Sequence, residues 1–270
     1  MKHLPAPILI RGGGDLATGV ALRLHRAGLQ VLISELPQPL AVRRTVSFAE
    51  AVYAGRVEVE GVTAKLIKGE QISGTLEAGE VPVIVDRDAS ILTVLPISIV
   101  IDARLLKLPP DPLPVDVSLH IGLGPGFHAG HNCHAVIETR RSHTLGRVYW
   151  EGAPQPDSGQ PEGDQLRVLR APKDGTLISK VEIGDHVDAG QTVAEIADEQ
   201  IKAFFPGVIR GLIHPGLRVT KGLKIGDVDP CDDPTRCKLV SDKALAIGGG
   251  VLEAILSNPK IRSLVFSKQD

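Results

Sequence analysis

The sequence predicts a mixed α/β protein in which a Rossmann-like domain with a mostly parallel sheet precedes a small β-rich domain. Three observations predict this class: a strand–glycine turn–helix–strand pattern at 7–35, a linker-like composition at 151–164, and an internal repeat with an offset of 32 residues after that linker. They divide the chain into an α/β domain (1–150), a linker (151–165), a repeat domain (166–230) and a C-terminal segment (231–270). We expect the last segment to be helical and to pack back on one of the domains.

The first element is an apolar strand pattern at 8–10, followed by three glycines and a helical pattern. Gly12, Gly14 and Ala17 fit the G-x-G-x-x-A spacing of dinucleotide-binding turns. Glycines there let backbone N–H groups approach a phosphate at the positive end of the helix. Glu35 ends the next strand 23 residues after Gly12, where a carboxylate can hold a ribose diol. The pattern therefore predicts either a nucleotide or phosphate site, or a tight turn that needs glycine for structure alone.

Four further runs, at 57–62, 81–85, 97–101 and 117–121, are candidates for later strands of the same sheet. Ligands of open α/β sheets bind outside the carboxyl ends of the strands. The residues that follow these runs are therefore candidates for a binding site.

The stretch 120–143 follows the last of these runs and holds five histidines and four glycines in 24 positions. Glycine-rich turns expose N–H groups that attract anions, so the stretch predicts a loop for an anionic or cofactor-like ligand, with a purely structural turn as the alternative. The predicted ligand-loop residues are Gly124, Gly126, Gly130 and His134. A metal would use His128, His131 and Cys133, but no C-x-x-C pair or HExxH motif accompanies them, and we expect no metal site.

An arginine pair, Arg43 and Arg44, follows the second strand. Guanidinium groups bind carboxylates and phosphates through two parallel hydrogen bonds, which makes the pair a candidate part of the ligand site. A solvated surface would contain the same pair equally well.

The repeat domain consists of two half repeats. Their shared glycines and apolar residues are Gly175, Gly184, Val187, Gly190 and Val193 in the first half, and Gly207, Gly216, Val219, Gly222 and Ile225 in the second. This spacing resembles that of biotinyl and lipoyl domains, whose barrel-sandwich hybrid fold has two halves related by a pseudo-twofold axis. In those domains a modified lysine lies about ten residues after the glycine that corresponds to Gly190. In this chain that position is occupied by Gln200. We therefore expect neither biotin nor lipoate, and predict that the domain is a docking surface or a lid.

The composition narrows the class of protein. A net charge of −2 and 43% hydrophobic residues are ordinary for a globular protein and give no reason to expect nucleic acid or a membrane as partner. Three cysteines in 270 residues, with Cys231 and Cys237 separated by five positions, are typical of a reducing compartment. We expect a cytoplasmic protein, and the sequence leaves a homo-oligomer open.

Five blocks carry a resemblance that runs from the first strand to the last helix. They are "IRGGGDLATGVALRLHRAG", "ELPQPLAVRRTVSFAEAVY", "GLGPGFHAG", "VIETRRSHTLGRV" and "SDKALAIGGGVLEAIL". Together they resemble the YqeB family. The resemblance implies an accessory protein of the selenium-dependent molybdenum hydroxylase system, with a molybdenum hydroxylase or its maturation proteins as partner. It assigns no catalytic residue to this chain.

The expected function is that of a maturation factor that binds a nucleotide, a molybdopterin-type cofactor or another anionic small molecule at its glycine-rich loops. A pterin dinucleotide would use the turn at Gly12 and Gly14, and selenide chemistry would use Cys133. One alternative is an NAD(P)-dependent oxidoreductase built on the same turn, with His134 as its best acid–base candidate. A second alternative is a scaffold without a ligand. The sequence does not decide whether the protein is an enzyme.

Overall fold

The computed structural model describes residues 6–157 and 165–266, which form two compact units. The first unit contains the chain up to Pro39, Phe48–Asp157 and the residues from Val240 onward. The second contains Leu40–Ser47 and the described residues from 165 to Leu239. Residues 158–164 of the expected linker lie outside the described part of the chain. The units differ from the expected boundaries in two places: Leu40–Ser47 joins the second unit, and the segment from Val240 joins the first.

The first unit is built on a sheet of nine strands. The strands are β1 (Ile8–Arg11), β2 (Val31–Glu35), β3 (Arg56–Val59), β4 (Val62–Leu66), β5 (Val81–Val85), β6 (Ile99–Asp102), β7 (Leu119–Leu123), β8 (Ala135–Ile137) and β9 (Val148–Tyr149). Their order is β3-β4-β5-β2-β1-β6-β7-β8-β9, and every pair is parallel except the β3–β4 and β8–β9 hairpins at the two edges. The predicted α/β class with a mostly parallel sheet is therefore confirmed.

The helices are α1 (Asp15–Arg26), α2 (Ala51–Ala54), α3 (Ile72–Glu77), α4 (Asp242–Ser257) and α5 (Pro259–Phe266). The longest, α4, begins at the N-cap Ser241, whose hydroxyl accepts the N–H of Ala244. It packs closely on α1, since a Cβ on Gly248 would come within 2.8 Å of the carbonyl oxygen of Gly19. The glycines of the C-terminal block thus allow two helix backbones to approach each other. Among the described residues, no helix has the length and apolar character that a membrane span requires.

The apolar run at 57–62 was predicted as one strand and is a hairpin instead. Glu60 and Gly61 have φ angles of 46° and 81°, which place both in the left-handed region. This is the backbone of a two-residue type I′ turn, which matches the twist of the flanking strands. Val59 therefore pairs with Val62 in an antiparallel register. The prediction missed the turn because glutamate seldom occupies a left-handed position.

The second unit contains two antiparallel sheets of four strands, ordered β10-β17-β15-β12 and β14-β13-β11-β16. The strands are β10 (Val168–Arg170), β11 (Gly175–Ser179), β12 (His186–Val187), β13 (Thr192–Ile196), β14 (Glu199–Lys202), β15 (Gly207–Leu212), β16 (Arg218–Val219) and β17 (Lys224–Asp229). Strands β11, β12 and β13 each begin 32 residues before β15, β16 and β17, so the repeat in the sequence is also a repeat of structure.

The two half repeats exchange strands. β12 of the first half pairs with β15 of the second, and β16 of the second half pairs with β11 of the first. Leu177 and Val193 of the first half share one buried core with Ile209 and Ile225 of the second. Because each half completes the other's sheet and core, the unit folds as a pair.

Candidate functional site

The strand order places a crevice beside β1. The chain passes from β1 to β2 on one side and later returns to β6 on the other, so β1 has a neighbour in each direction. In open α/β sheets, ligands bind outside the carboxyl ends of the strands at such a point, where two connections diverge. The residues that end β1 and β6, and those that follow them, are therefore the natural candidates for a site.

The glycine turn after β1 leaves its last position open. Gly12 has a φ angle of 90°, and a Cβ on Gly13 would come within 2.8 Å of the backbone nitrogen of Ala49. Gly14 is the N-cap of α1, and a Cβ there would meet no atom within 4 Å. Ala17 is buried in the first turn of α1. The open side of Gly14 thus gives a ligand access to the N-terminal N–H groups of the helix, where negative charge is stabilised.

Glu35 is buried and bound to the same turn. Its Oε2 accepts the N–H of Gly13 at 2.6 Å and its Oε1 accepts the N–H of Leu36 at 2.7 Å. Burial raises the pKa of this carboxyl, while the two backbone hydrogen bonds oppose the rise. A ribose diol would have to share oxygen atoms that already bind backbone donors, so the structure gives Glu35 a clear role in holding the turn.

A charged cluster joins the ends of β1 and β6. Asp102 is fully buried and binds two guanidinium groups: Arg11 at 3.3 Å, and Arg104 through two hydrogen bonds of 2.8 and 2.6 Å. A further Arg11 nitrogen, Nη2, donates to the carbonyl of Arg87 at 3.2 Å, and burial lowers the pKa of Arg11. The Nε of Arg11 is buried and has no hydrogen-bond partner within the described part of the chain. Buried donors are nearly always paired, so this nitrogen calls for an acceptor.

His120 on β7 belongs to the same cluster. The charges of Asp102, Arg11 and Arg104 all act on it, and burial, the largest influence, lowers its pKa to about 4. The ring is therefore neutral at physiological pH, and it packs edge-on against Phe127 at a centroid distance of 6.0 Å. Its Nε2 is also buried, with no hydrogen-bond partner among the described residues. The two unpartnered nitrogens of Arg11 and His120 lie around one carboxylate.

The histidine-rich stretch folds over this edge, and packing accounts for several of its glycines. A Cβ on Gly122 would lie 2.1 Å from the ring of Phe127, and a Cβ on Gly126 would lie 2.3 Å from the carbonyl oxygen of Leu108. The predicted loop residues Gly124 and Gly130 have φ angles of 102° and 80°. These positions require glycine for structural reasons, and ligand binding by them stays a prediction.

His134 takes part in a backbone contact. Its Nδ1 accepts the N–H of His120 at 2.9 Å, so the ring fixes the start of β7. A neutral His134 in this arrangement carries its proton on Nε2. Its imidazole is exposed, and its predicted contact with a ligand stays a prediction.

Two residues with left-handed backbone flank the cluster. Ala89 has a φ angle of 56° in the segment after β5, and Leu105 has a φ angle of 57° directly after Arg104. Residues other than glycine in this region carry strain, which persists where the surrounding structure holds it and is often found at ligand sites. Both lie on loops at the carboxyl edge of the sheet.

The arginine pair lies in the other unit and binds its backbone. Arg43 Nη2 donates to the carbonyls of Arg236 and Leu239 at 3.2 and 2.9 Å. Arg44 Nε donates to the carbonyl of Leu212 at 2.8 Å. These bonds hold the segment Leu40–Ser47 on the second unit, so the structure gives both residues a structural role and the predicted ligand contact stays a prediction.

The candidate metal ligands do not converge. The rings of His128 and His131 are exposed with centroids 6.0 Å apart, and Cys133 is buried. No group of three or more histidine, cysteine or acidic side chains within 6–157 and 165–266 is arranged to hold a metal ion. Burial raises the pKa of Cys133 to about 11, which disfavours the thiolate that selenide chemistry would need. The remaining cysteines, Cys231 and Cys237, are free thiols.

Sequence patterns did not single out Arg11, Asp102 or His120. Each lies within or at the end of a predicted apolar strand, where a single polar residue matches no known sequence motif. One signal was available: a charged residue within a run of otherwise buried strand residues is rarely left unpaired, and Arg11 and Asp102 are both of this kind.

Comparison with known proteins finds a relative that matches most of the chain. No family model matches the chain. It is 46% identical over 254 residues, 92% of its length, to the "Uncharacterized protein YqeB" of Escherichia coli K12. This similarity supports the resemblance of the chain to the YqeB family. The match covers 47% of the E. coli protein, so the chain spans about half the length of this YqeB relative.

Solved structures offer weaker likenesses. A succinylglutamate desuccinylase/aspartoacylase from Rhodobacter sphaeroides has a TM-score of 0.29 and 13% identity, with 83% of this chain and 86% of that chain covered. The ectoine utilization protein EutE (DoeB) from Ruegeria pomeroyi has a TM-score of 0.25 and 12% identity, with 83% and 85% covered. Likenesses this low support no statement about the function of this chain.

Proposed function

We propose that the carboxyl edge of the sheet, at β1 and β6, binds a small anionic ligand such as the phosphate group of a cofactor. We further propose that the chain acts as an accessory factor in the maturation of selenium-dependent molybdenum hydroxylases. The resemblance to the YqeB family supplies the client class, and the geometry of the edge supports the ligand class. A cofactor or its precursor would bind here before it passes to the client enzyme.

This proposal rests on the buried Nε of Arg11, which has no hydrogen-bond partner among the described residues. A buried donor without an acceptor costs about 1–3 kcal/mol, and more when the group is charged. Arg11 is 5% exposed and Asp102 meets it only through Nη1, so Nε remains to be satisfied. An oxygen of a phosphate is the kind of acceptor that a guanidinium binds best.

Two neighbouring groups, Arg104 and the N-terminus of α1, support an anion at this place. Arg104 is partly exposed, and Asp102 binds its Nε and Nη2 while Nη1 makes no bond to Asp102. Gly14 leaves the N-terminus of α1 accessible. Asp102 neutralises one of the two guanidinium charges, so the site suits a ligand that also uses neutral backbone donors.

The test is the binding of inorganic pyrophosphate, measured by calorimetry on the full chain. Arg104→Gln should weaken binding at least tenfold, while Arg140→Gln, which removes an exposed arginine from the same unit, should not. Gly14→Leu should also abolish binding, since its side chain enters open space and blocks access to α1 without a clash. Binding that none of these variants changes would refute the proposed site.

The accessory role needs a separate test in the native host. Native mass spectrometry and elemental analysis for molybdenum and selenium on gently purified protein should reveal a stoichiometric adduct. A pterin-containing mass would support the maturation factor. A protein that carries no adduct, and whose deletion leaves molybdenum hydroxylase activity unchanged, would refute this role.

A second candidate is an NAD(P)-dependent oxidoreductase, favoured by the G-x-G-x-x-A turn of Gly12, Gly14 and Ala17. Glu35 argues against this candidate, because its carboxylate oxygens already bind the N–H groups of Gly13 and Leu36 and would have to be shared with a ribose diol. Calorimetry with NADH and NADPH tests this candidate, because an oxidoreductase requires one of them to bind, and the failure of both to bind would refute it. A ligand-free scaffold, the remaining alternative, requires that none of these molecules binds.

We infer that the second unit is a barrel-sandwich hybrid that meets the partner protein. The exchange of β12 and β16 between the half repeats supports the pseudo-twofold construction. Two exposed apolar side chains on this unit, Ile178 and Phe204, are candidates for contact with the partner. The double variant Ile178→Ser, Phe204→Ser should reduce co-purification with the client enzyme without a change in pyrophosphate affinity. Unchanged co-purification would refute this role of the unit.

A further inference from the structure

A groove of about 940 Å³ lies within the first unit. Its base is formed by the carboxyl ends of the neighbouring parallel strands β4 and β5, and its walls by the two segments that follow them. Pockets for cofactors and small ligands have volumes of roughly 300–1,000 Å³ and mostly apolar walls. The groove is therefore large enough for a ring system and the sugar attached to it.

The lining combines aliphatic side chains with a few polar groups. Its apolar residues are Leu66, Ile67, Ile84, Val85, Ile91 and Val94. Val85 and Val94 also line the groove and are 48% and 74% exposed, so both leave apolar surface open to a ligand. Aliphatic side chains pack well against the faces of a planar ring.

The polar groups of the groove suit the edge of a heterocycle. Thr93 donates its hydroxyl proton to the carbonyl of Ser90 and keeps its oxygen as an acceptor. Gln71 accepts the N–H of Lys68 through its carbonyl oxygen, which leaves its amide N–H groups as donors. Both carboxylate oxygens of Asp86 bind backbone N–H groups of the segment after β5. Donors and acceptors around an aliphatic groove favour a ring with nitrogen and oxygen atoms over an acyl chain.

One face of the sheet carries residues of both the charged cluster and the groove. Arg11, Ser34 and Ile84 occupy one row across β1, β2 and β5, so their side chains point to the same face of the sheet. Arg11 also donates to the carbonyl of Arg87, the residue after Asp86 of the groove. Two strand spacings, about 10 Å, separate β1 from β5. The ring, the ribose and the phosphate of a nucleotide together extend over a distance of this order.

We propose that the groove binds the heterocyclic ring of a nucleotide-like ligand whose phosphates lie at Arg11, Arg104 and Gly14. This inference rests on the proposed anion site and adds the class of the ligand: a planar nitrogen heterocycle joined through a sugar or similar linker to a phosphate. Neither end provides the whole site. The cluster supplies charge, and the groove supplies the apolar contact that selects the ring.

The test compares the affinities of pyrophosphate, adenosine, ADP, GDP and CDP for the full chain by calorimetry. At least one nucleoside diphosphate should bind tenfold or more tightly than pyrophosphate. Val85→Glu and Val94→Glu, both at exposed positions, should remove this advantage and leave pyrophosphate affinity unchanged. Leu108→Glu is the matched control, since Leu108 is 77% exposed in the same unit and does not line the groove.

Each outcome separates the two proposals. If pyrophosphate binds and all three nucleotides bind no better, the groove is not a ring site, while the anion site stands. If adenosine binds in a Val85-dependent manner and pyrophosphate does not bind, the groove stands as a ring site and the anion site is refuted. If no probe binds, both proposals are refuted.

Discussion

The buried imidazole of His120 makes the stability of the first unit depend on pH, and the variant His120→Asn tests this. The ring is 6% exposed and its pKa in the folded chain is about 4, against 6.5 for an ordinary histidine. In the unfolded chain the ring gains a proton as the pH falls below 6.5, while in the folded chain it stays neutral until about pH 4. The contribution to stability is therefore complete above pH 6.5 and is lost as the pH falls towards 4.

The size of the loss follows from the two pKa values. Each pH unit between them costs about 1.4 kcal/mol, so acidification from pH 8 to pH 4.5 should lower the free energy of unfolding by about 2–3 kcal/mol through His120 alone. Asparagine does not titrate, so His120→Asn should lose about 2–3 kcal/mol less than the wild type over this interval. The cavity that the smaller side chain leaves costs the same at both pH values and cancels in the comparison.

The assay is urea unfolding followed by the fluorescence of Trp150, the only tryptophan of the chain, which lies in the same unit as His120. His131→Asn, on an exposed loop, is the matched control and should show the same acid-induced loss as the wild type. Equal losses in the wild type and His120→Asn would refute the reasoning. A larger loss in His120→Asn would mean that the folded chain holds His120 charged against Asp102, because the sign would then be reversed.

Three further predictions use the same fluorescence assay. Gly248→Ala should destabilise the first unit by about 1–3 kcal/mol, because the added methyl group pushes α4 away from α1. Gly249→Ala, whose methyl group would meet no atom within 4 Å, should stabilise the unit by about 0.5–1 kcal/mol. Effects of the same sign in the two variants would contradict the packing of α4 on α1. Glu35→Ala should cost about 1–3 kcal/mol by leaving the N–H of Gly13 unpaired, and a neutral effect would mean that water replaces the carboxylate. Gly122→Ala should cost about 1–3 kcal/mol by displacing the phenylalanine ring above it, and an unchanged urea midpoint would contradict that contact.

The sequence predicted the parts of the fold that follow from local patterns. The turn at Gly12 and the strands around α1 depend on residues within one short segment, and the half repeats are visible because Gly175 and Gly207 recur with their neighbours at a constant offset. The hairpin at Glu60 was missed because a left-handed glutamate leaves no mark in the pattern of apolar residues.

The candidate site depended on contacts that local patterns do not contain. Arg11 and Asp102 are 91 residues apart, and only the parallel pairing of β1 and β6 brings them together. Glu35 was placed correctly at the end of a strand, but its bond to Gly13 depends on the direction of one side chain. Nothing in the sequence around Arg43 indicates that its segment packs with residues almost 200 positions later in the chain.

The contact between α1 and α4 also determines when the first unit can be completed during synthesis. α4 follows α1 by more than 200 residues, and the second unit is translated between the two helices together with strands β2–β9 of the first. Ribosomes add about 5–20 residues per second, so roughly 10–45 s pass between the synthesis of α1 and that of α4, which packs on α1 at Gly19. During that interval the surface of α1 that packs against α4 is uncovered, and a chaperone that binds apolar helices has time to hold it. Nascent chains arrested before α4 should therefore be more sensitive to protease at α1 than chains arrested after it.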